Sequence, residues 1–451
     1  MRIREHTRAL FLTTCFSSVL MLGPTVGGAT ADRVSNWNAT AVTATAMAGQ
    51  NAVVQSRSLA MVQAAVHDAL NAIDRRFEPY ALEGVLDPLA SPDAAIATAA
   101  HDTLVGLIPV GALPFTGFGS VAQQTAAVNF ANAAYVSDVG TIPDDDAKTR
   151  GIAVGQAAAQ AILTRRFGDG ATTFVPYTPG TDPGDWQPTP NPVPFDPPAA
   201  ADRLPAAVPW WGDITTFVLR TSDQFQTDGP PALTSDRYTT DYNEVKAIGA
   251  KLSAVRTGDQ LQIARFWYEG SPAGWSRIAR VVADAHGLDA WDRARLLALV
   301  NLAMADGFIA GWKDKYTFNF WRPVTAIRAG DTDGNDNTIP DPAWDSLLNS
   351  PALPDYPSTH SILGGAASEV LRRFFHHDDI VFTSTSGAPF AGITRSYTSF
   401  SQAAVENGNS RIYAGIHFRS AVEDGIAQGK RIGRFVFTHA LKPIEDDNDR
   451  M

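Results

Sequence analysis

The sequence predicts an all-α protein, two helical bundles joined by a proline-rich connecting segment, and three observations carry that expectation. Apolar residues recur at helical spacing from Ser58 to about Phe167. Pro, Gly and Thr then dominate "VPYTPGTDPGDWQPTPNPVPFDPPAAADRLPAAVPWW", which excludes regular helix. Helical spacing resumes after Ser235, and strand alternation is scarce throughout. With 451 residues, 45% of them hydrophobic, the chain can bury one large core or two medium ones.

The expected organisation is a signal peptide at 1–31, a first bundle at 32–167, a wrapping segment at 168–235 and a second bundle at 236–451. The start "MRIREHTRALFLTTCFSSVLMLGPTVGGATAD" has early arginines, an apolar run from Ala9 to Leu22, and small residues before Asp32, the pattern of a cleaved export signal. A secreted or periplasmic protein is therefore expected. Its one cysteine, Cys15, lies inside that run, so the mature chain is expected to carry no thiol, which removes disulfides, thiolate catalysis and Cys-ligated metals. No later stretch has about eighteen uninterrupted apolar residues, so no membrane span is expected after cleavage.

Helices are expected over "SLAMVQAAVHDALNAI", "DAAIATAAHDTLVGLIP", "TAAVNFANAAYVSDV" and "AKTRGIAVGQAAAQAILTRRF". The first two each run into His-Asp, at His67-Asp68 and His101-Asp102, which we read as buried or capping histidines rather than metal ligands. Trp186, Trp210, Trp211 and Phe217 give the proline-rich part too much apolar surface for a free linker, so it should pack. Further helices are expected over "TTDYNEVKAIGAKLSA", Asp259–Tyr268, Trp275–His286 and "WDRARLLALVNLAMADGFIAGWKDKY". "DTDGNDNT", Asp331–Thr338, lacks the calcium-loop spacing and reads as a polar turn.

A net charge of −11 and a pI near 5.3 argue against a nucleic-acid binder. Any anion must meet a local basic pocket, and three separated pieces supply one. "GWKDKYTFNFWRPVTAIR" ends a helix at Lys315 and puts Arg322 before Pro323; "YPSTHSILGGAASEVLRRFF" opens a helix with Ser358, Thr359 and His360; "NSRIYAGIHFRSAVEDG" carries Arg411 and His417 around Gly415. Singly, each residue has a plain reading: surface charge at a helix end, helix cap, core histidine. Together they make a tetrahedral-oxyanion site. Three cations neutralise it, two of them able to fork onto paired oxygens, and the free amides of a helix start add donors. One histidine is left to attack or coordinate the central atom and the other to exchange protons.

The order Lys-x6-Arg-Pro, Pro-Ser-x-His, Ser-Arg-x5-His, within roughly Trp312 to Asp424, resembles the superfamily of vanadium-dependent haloperoxidases and type 2 phosphatidic acid phosphatases. The resemblance implies the haloperoxidase fold of two four-helix bundles and vanadate as cofactor. It implies that Lys315, Arg322, Ser358, the Thr359 amide and Arg411 hold the equatorial oxygens, that His417 binds vanadium, and that His360 is the acid-base residue. The implied partners are hydrogen peroxide, a halide and a small organic acceptor. In a soluble secreted acid phosphatase of the same superfamily, the competing reading, His417 would accept the phosphoryl group and His360 would protonate the leaving alcohol.

Two departures stand out. Thr359 replaces the family's Gly and adds a side chain expected to narrow the entrance, and Ala421 replaces the Asp expected four residues after the last histidine. Glu423 and Asp424 fall on other parts of the helical turn, leaving open what orients His417. Asp306 is a candidate partner for one of the cations, or else faces solvent. Trp312 stands where fungal chloroperoxidases of the family place a halide-site Trp, but Leu353 stands where they place a second aromatic, so bromide is expected over chloride. Whether the chain is a monomer or a homodimer is not legible in the sequence.

Overall fold

The structure is a computed structural model that describes residues 30–108, 119–173, 175–189 and 208–444. Residues 1–29, which hold most of the expected signal peptide with Cys15, and residues 190–207 of the proline-rich segment lie outside the described residues.

The first bundle consists of α1 (Thr30–Met47), α2 (Ala52–Asn71), α3 (Pro92–Leu107), α4 (Val121–Val139) and α5 (Asp146–Arg165). Their starts follow from capping chemistry. Asn51 accepts the amides of Val53 and Val54, Ser91 caps α3 ahead of Pro92, and Ser120 with Gln123 closes a reciprocal capping box on α4. His67 is fully buried with Nε2 at 3.2 Å from the Glu78 carbonyl, and burial lowers its pKa to about 4, so it is a neutral core residue.

The second bundle comprises α6 (Asp236–Ile248), α7 (Gly258–Phe266), α8 (Ser271–Ala285), α9 (Ala290–Phe318), the short α10 (Pro323–Arg328), α11 (Thr359–Phe374), α12 (Phe400–Tyr413) and α13 (Arg419–His439). Helix α8 starts earlier than its apolar spacing suggests, because Pro272 suits a first helical turn. The one sheet among the described residues is a hairpin, β1 (Phe382–Thr385) antiparallel to β2 (Thr394–Tyr397).

Helix α9 joins the bundles. It packs on α1 and α2 on one side and on α8, α11 and α13 on the other, and one continuous apolar core runs through both bundles. Its 29 residues are long and apolar enough to cross a membrane, although Arg295, Asn301 and Asp306 interrupt the apolar run, and that stretch is entirely buried within the protein. An all-round hydrophobic helix is what a shared central position requires.

The described parts of the proline-rich segment do pack. Trp186, Trp210, Trp211 and Phe217 are all buried. Asp306 of α9 is fully buried and accepts the amides of Phe217, Val218 and Leu219 at 2.6, 2.8 and 2.9 Å. One turn pair further on, Asp314 accepts the Thr227 amide and hydroxyl and a Gln428 side-chain amide. Asp306 is thus neither a partner of the cations nor solvent-facing: it anchors the wrapping segment. Burial pushes its carboxyl pKa up, against the three amide donors. Replacing Asp306 by Ala should cost at least about 3 kcal/mol, since it strands buried amides, and Asp306→Asn should cost less. Urea unfolding of the two variants measures both.

Candidate active site

Each part of the site is set by a local chain event. Helix α9 stops because Asn319 takes a left-handed conformation, φ 48°, and its amide bonds back to Lys315 O at 2.9 Å. This leaves Lys315 in the last turn. The chain then runs extended, pairing with the wrapping segment through Trp186 N to Asn319 O (2.7 Å) and Trp321 N to Gly184 O (2.8 Å), and delivers Arg322 as the residue before Pro323. Arg411 lies in the last turn of α12, and Gly415, at φ +78°, turns the chain toward His417. A side chain on Gly415 would meet Gly249 O at 2.3 Å, so backbone packs where a Cβ would sit.

Close helix contact places Ser358. A Cβ on Gly429 of α13 would lie 2.0 Å from Ile362 O, and one on Gly425 would lie 2.7 Å from Ser358 O. Glycine spaced one turn apart lets α13 touch the backbone of α11, and the Ser358 amide donates to Ala421 O at 2.9 Å. Ser358 is the N-cap residue of α11 but makes no side-chain cap; its oxygen instead accepts from Ser361 Oγ at 3.0 Å. The reading of Ser358 as a simple cap is therefore wrong. The Thr359 methyl packs toward α9, where a Cβ on Gly311 would lie 2.8 Å from it. Its side chain uses the space left by that glycine.

These pieces converge. Lys315 Nζ donates to Pro354 O at 2.9 Å and Asp355 O at 2.8 Å. Arg322 donates from Nε to Leu353 O and from Nη1 to Ile416 O, both at 2.8 Å, and Nη1 also lies 3.0 Å from His417 Nε2. Arg411 Nη1 reaches Trp267 O at 3.3 Å, and its Nε has no partner. His360 Nε2 lies 3.2 Å from Glu269 O. Lys315, Arg322, Ser358, Thr359, Arg411 and His417 are buried, whereas His360 is half-buried.

Charge accounts for the protonation states. Burial lowers the pKa of Lys315 well below its ordinary value, with Arg322 adding to the effect, and lowers both arginines to about 10. Burial and then the neighbouring cations push His417 and His360 well below the usual histidine range, so both are neutral. A carbonyl only accepts, so the His360 proton sits on Nε2 and Nδ1 is its basic nitrogen.

Sequence reasoning missed the residue nearest this cluster. Asp355 is fully buried, with Oδ1 at 2.9 Å from His417 Nδ1 and 3.6 Å from Arg322 Nη1. It lies inside the quoted motif, where an acid before Tyr356 looks like ordinary turn polarity. Glu423 and Asp424 instead meet Arg237, and Asp424 also accepts from Tyr356. Missed too was the loop Trp267–Glu269, whose carbonyls meet Arg411 and His360. Both expected halide-site residues are buried: Trp312 stands one turn before Lys315, and Leu353 lends its carbonyl to Arg322. The Asp331–Thr338 turn closes on itself, with Thr338 Oγ1 donating to Asp333.

A tetrahedral oxyanion fits this donor set. Arg411 has buried donors with almost nothing to meet them, Ser358 leaves the helix start uncapped, and three cations face a single contacting carboxylate among the described residues.

Residues 295–446 match the family model described as the VCPO second helical-bundle domain. The matched residues include Lys315, Arg322, Ser358, His360, Arg411 and His417. Vanadium chloroperoxidase from Curvularia inaequalis is 28% identical over 197 residues, which span 37% of this chain and 32% of that relative. A solved bacterial vanadium-dependent iodoperoxidase superposes with a TM-score of 0.71 at 27% identity, covering 93% of this chain and 96% of its own. An apo-type bacterial vanadium-dependent chloroperoxidase, 18% identical, shares the fold with a TM-score of 0.68 over 87% of this chain and 94% of its own. The vanadium haloperoxidase fold expected from the sequence is thus the fold observed.

Arg411→Met tests whether the cluster is built for an anion. Removing a buried, barely partnered guanidinium should leave anion-free stability equal or higher, while phosphate affinity falls about tenfold to a hundredfold. Thermal unfolding with and without phosphate reads both effects.

Proposed function

We propose that this protein is a vanadium-dependent haloperoxidase, exported from the cell, that oxidises halide with hydrogen peroxide to hypohalous acid. The observation that carries this reading is the meeting of Lys315, Arg322, Arg411, His360 and His417 at the start of α11. Export rests on the basic, apolar and small-residue order of the first 31 residues.

Lys315, Arg322, Ser358, the Thr359 amide and Arg411 would hold the oxygens of vanadate, and His417 would bind the metal through Nε2. Bound there, vanadate supplies a Lewis acid that activates peroxide without changing its own oxidation state. The remaining work belongs to the protein. Arg322 is already held by two carbonyls, so its guanidinium reaches the cup without reorganisation. Lys315 is fully buried, and a bound anion would favour its protonated form, whose charge then polarises oxygen strongly away from bulk solvent. Forming hypohalous acid and water from halide and peroxide consumes one proton. His360, half-buried and with a free basic Nδ1, is the group able to relay it from solvent.

The halide preference is argued from the cup wall. Leu353 is aliphatic and buried, so the wall lacks the second aromatic that fungal chloroperoxidases place there; bromide, easier to oxidise, is favoured over chloride.

The test is to assay phenol halogenation by peroxide with iodide, bromide or chloride, with and without added orthovanadate, beside phosphate-ester hydrolysis. Vanadate-dependent bromination that vanishes in His417→Ala is expected. His360→Ala should lose turnover by about 100-fold or more while retaining vanadate. Brisk ester hydrolysis without any halogenation would replace this reading with the phosphatase one.

A further inference from the structure

We infer that Asp355 is a positioning residue, which holds the His417 imidazole in the tautomer that presents an unprotonated Nε2 to the anion cup. The inference deepens the haloperoxidase reading and rests on it only where vanadate is concerned.

Asp355 ties together all three pieces of the site. Its amide donates to Phe320 O at 2.8 Å, fixing the segment against the turn that carries Arg322. Its carbonyl accepts from Lys315 Nζ, and its carboxylate stands between Arg322 and His417. Neither carboxylate oxygen has an aligned hydrogen bond, although the side chain is fully buried. A buried acid so poorly paired is expensive, and structural acids elsewhere in this protein accept several amides each. Its cost is offset by what it does to its neighbours.

The contacts of His417 favour one arrangement of its proton. Nδ1 lies 2.9 Å from a carboxylate oxygen, which accepts and cannot donate when ionised, so a lone pair on Nδ1 would be repelled. Arg322 Nη1, which only donates, lies 3.0 Å from Nε2 and 3.4 Å from Nδ1, so it repels a proton most strongly on the nearer nitrogen, Nε2. Both neighbours favour Nδ1–H with an unprotonated Nε2. A carboxylate behind a ligating imidazole fixes its ring and raises its basicity. Helix α13 offers no substitute: Ala421 has no polar side chain, and Glu423 and Asp424 are engaged with Arg237.

Asp355→Asn keeps the shape and removes the charge, and it separates this role from a general electrostatic one. Deleting a negative charge beside an anion site favours every anion, so phosphate should bind as tightly as before or tighter. Orthovanadate, which also needs the His417 lone pair, should bind about 10–100-fold more weakly. Weaker vanadate binding with phosphate unchanged or tighter supports the inference; vanadate unchanged or tighter, or both probes weakened, overturns it. Nitrogen-15 NMR of the anion-free wild type should show His417 protonated on Nδ1, with a mixture of tautomers in the variant. A wild-type His417 protonated on Nε2 overturns the inference even if Asp355→Asn fails to fold. If the wild type takes up no vanadate, the haloperoxidase reading fails while the tautomer measurement still decides this one.

Discussion

Lys315, Arg322 and Arg411 are buried at one point with a single carboxylate in contact among the described residues, and the rest of the site is arranged around that imbalance. Charges taken out of water demand partners. Here the partners are backbone carbonyls of Leu353, Pro354, Asp355, Ile416 and Trp267, which satisfy hydrogen bonds without neutralising charge. The outcome is a cup of positive potential suited to an anion, and burial together with that potential keeps its histidines neutral.

Holding such a cup together calls for stiffness, which the fold supplies by close backbone contact. Helix α9 runs through the shared core and carries Lys315 at its end. Glycines on α13 let it press on α11 at Ile362 and Ser358, so the start of α11 is located by main chain rather than by flexible side chains. From the other side, the wrapping segment braces the turn before Arg322 through its pairing at Gly184–Trp186.

Buried acids elsewhere show how the chain treats clustered amides when no ligand is intended. Asp68 accepts Tyr80, Ala81 and Leu82, and Asp306 accepts Phe217, Val218 and Leu219. Each donor cluster is closed by the protein's own carboxylate. At the start of α11 the cap is left open, and Asp355 turns to His417 and Arg322 instead of to the amides. That difference separates a structural anchor from a binding cup.

Most of the helices were legible in the sequence because apolar spacing is a local property, as over Ser58–Ile73; the caps Asn51, Ser91 and Ser120, equally local, were seen only in the structure. The residue types of the cup were legible as well, since Lys315, Arg322, Arg411 and the two histidines keep a distinctive order and spacing. Asp355 and Asp306 were not, because a carboxylate's role depends on which distant group it meets: the first faces an imidazole 62 positions later, the second a loop some 90 positions earlier. Local chemistry thus set the secondary structure and the inventory of charges. Tertiary packing alone decided which carboxylate stands behind which histidine, because that choice is made across space by burial and charge.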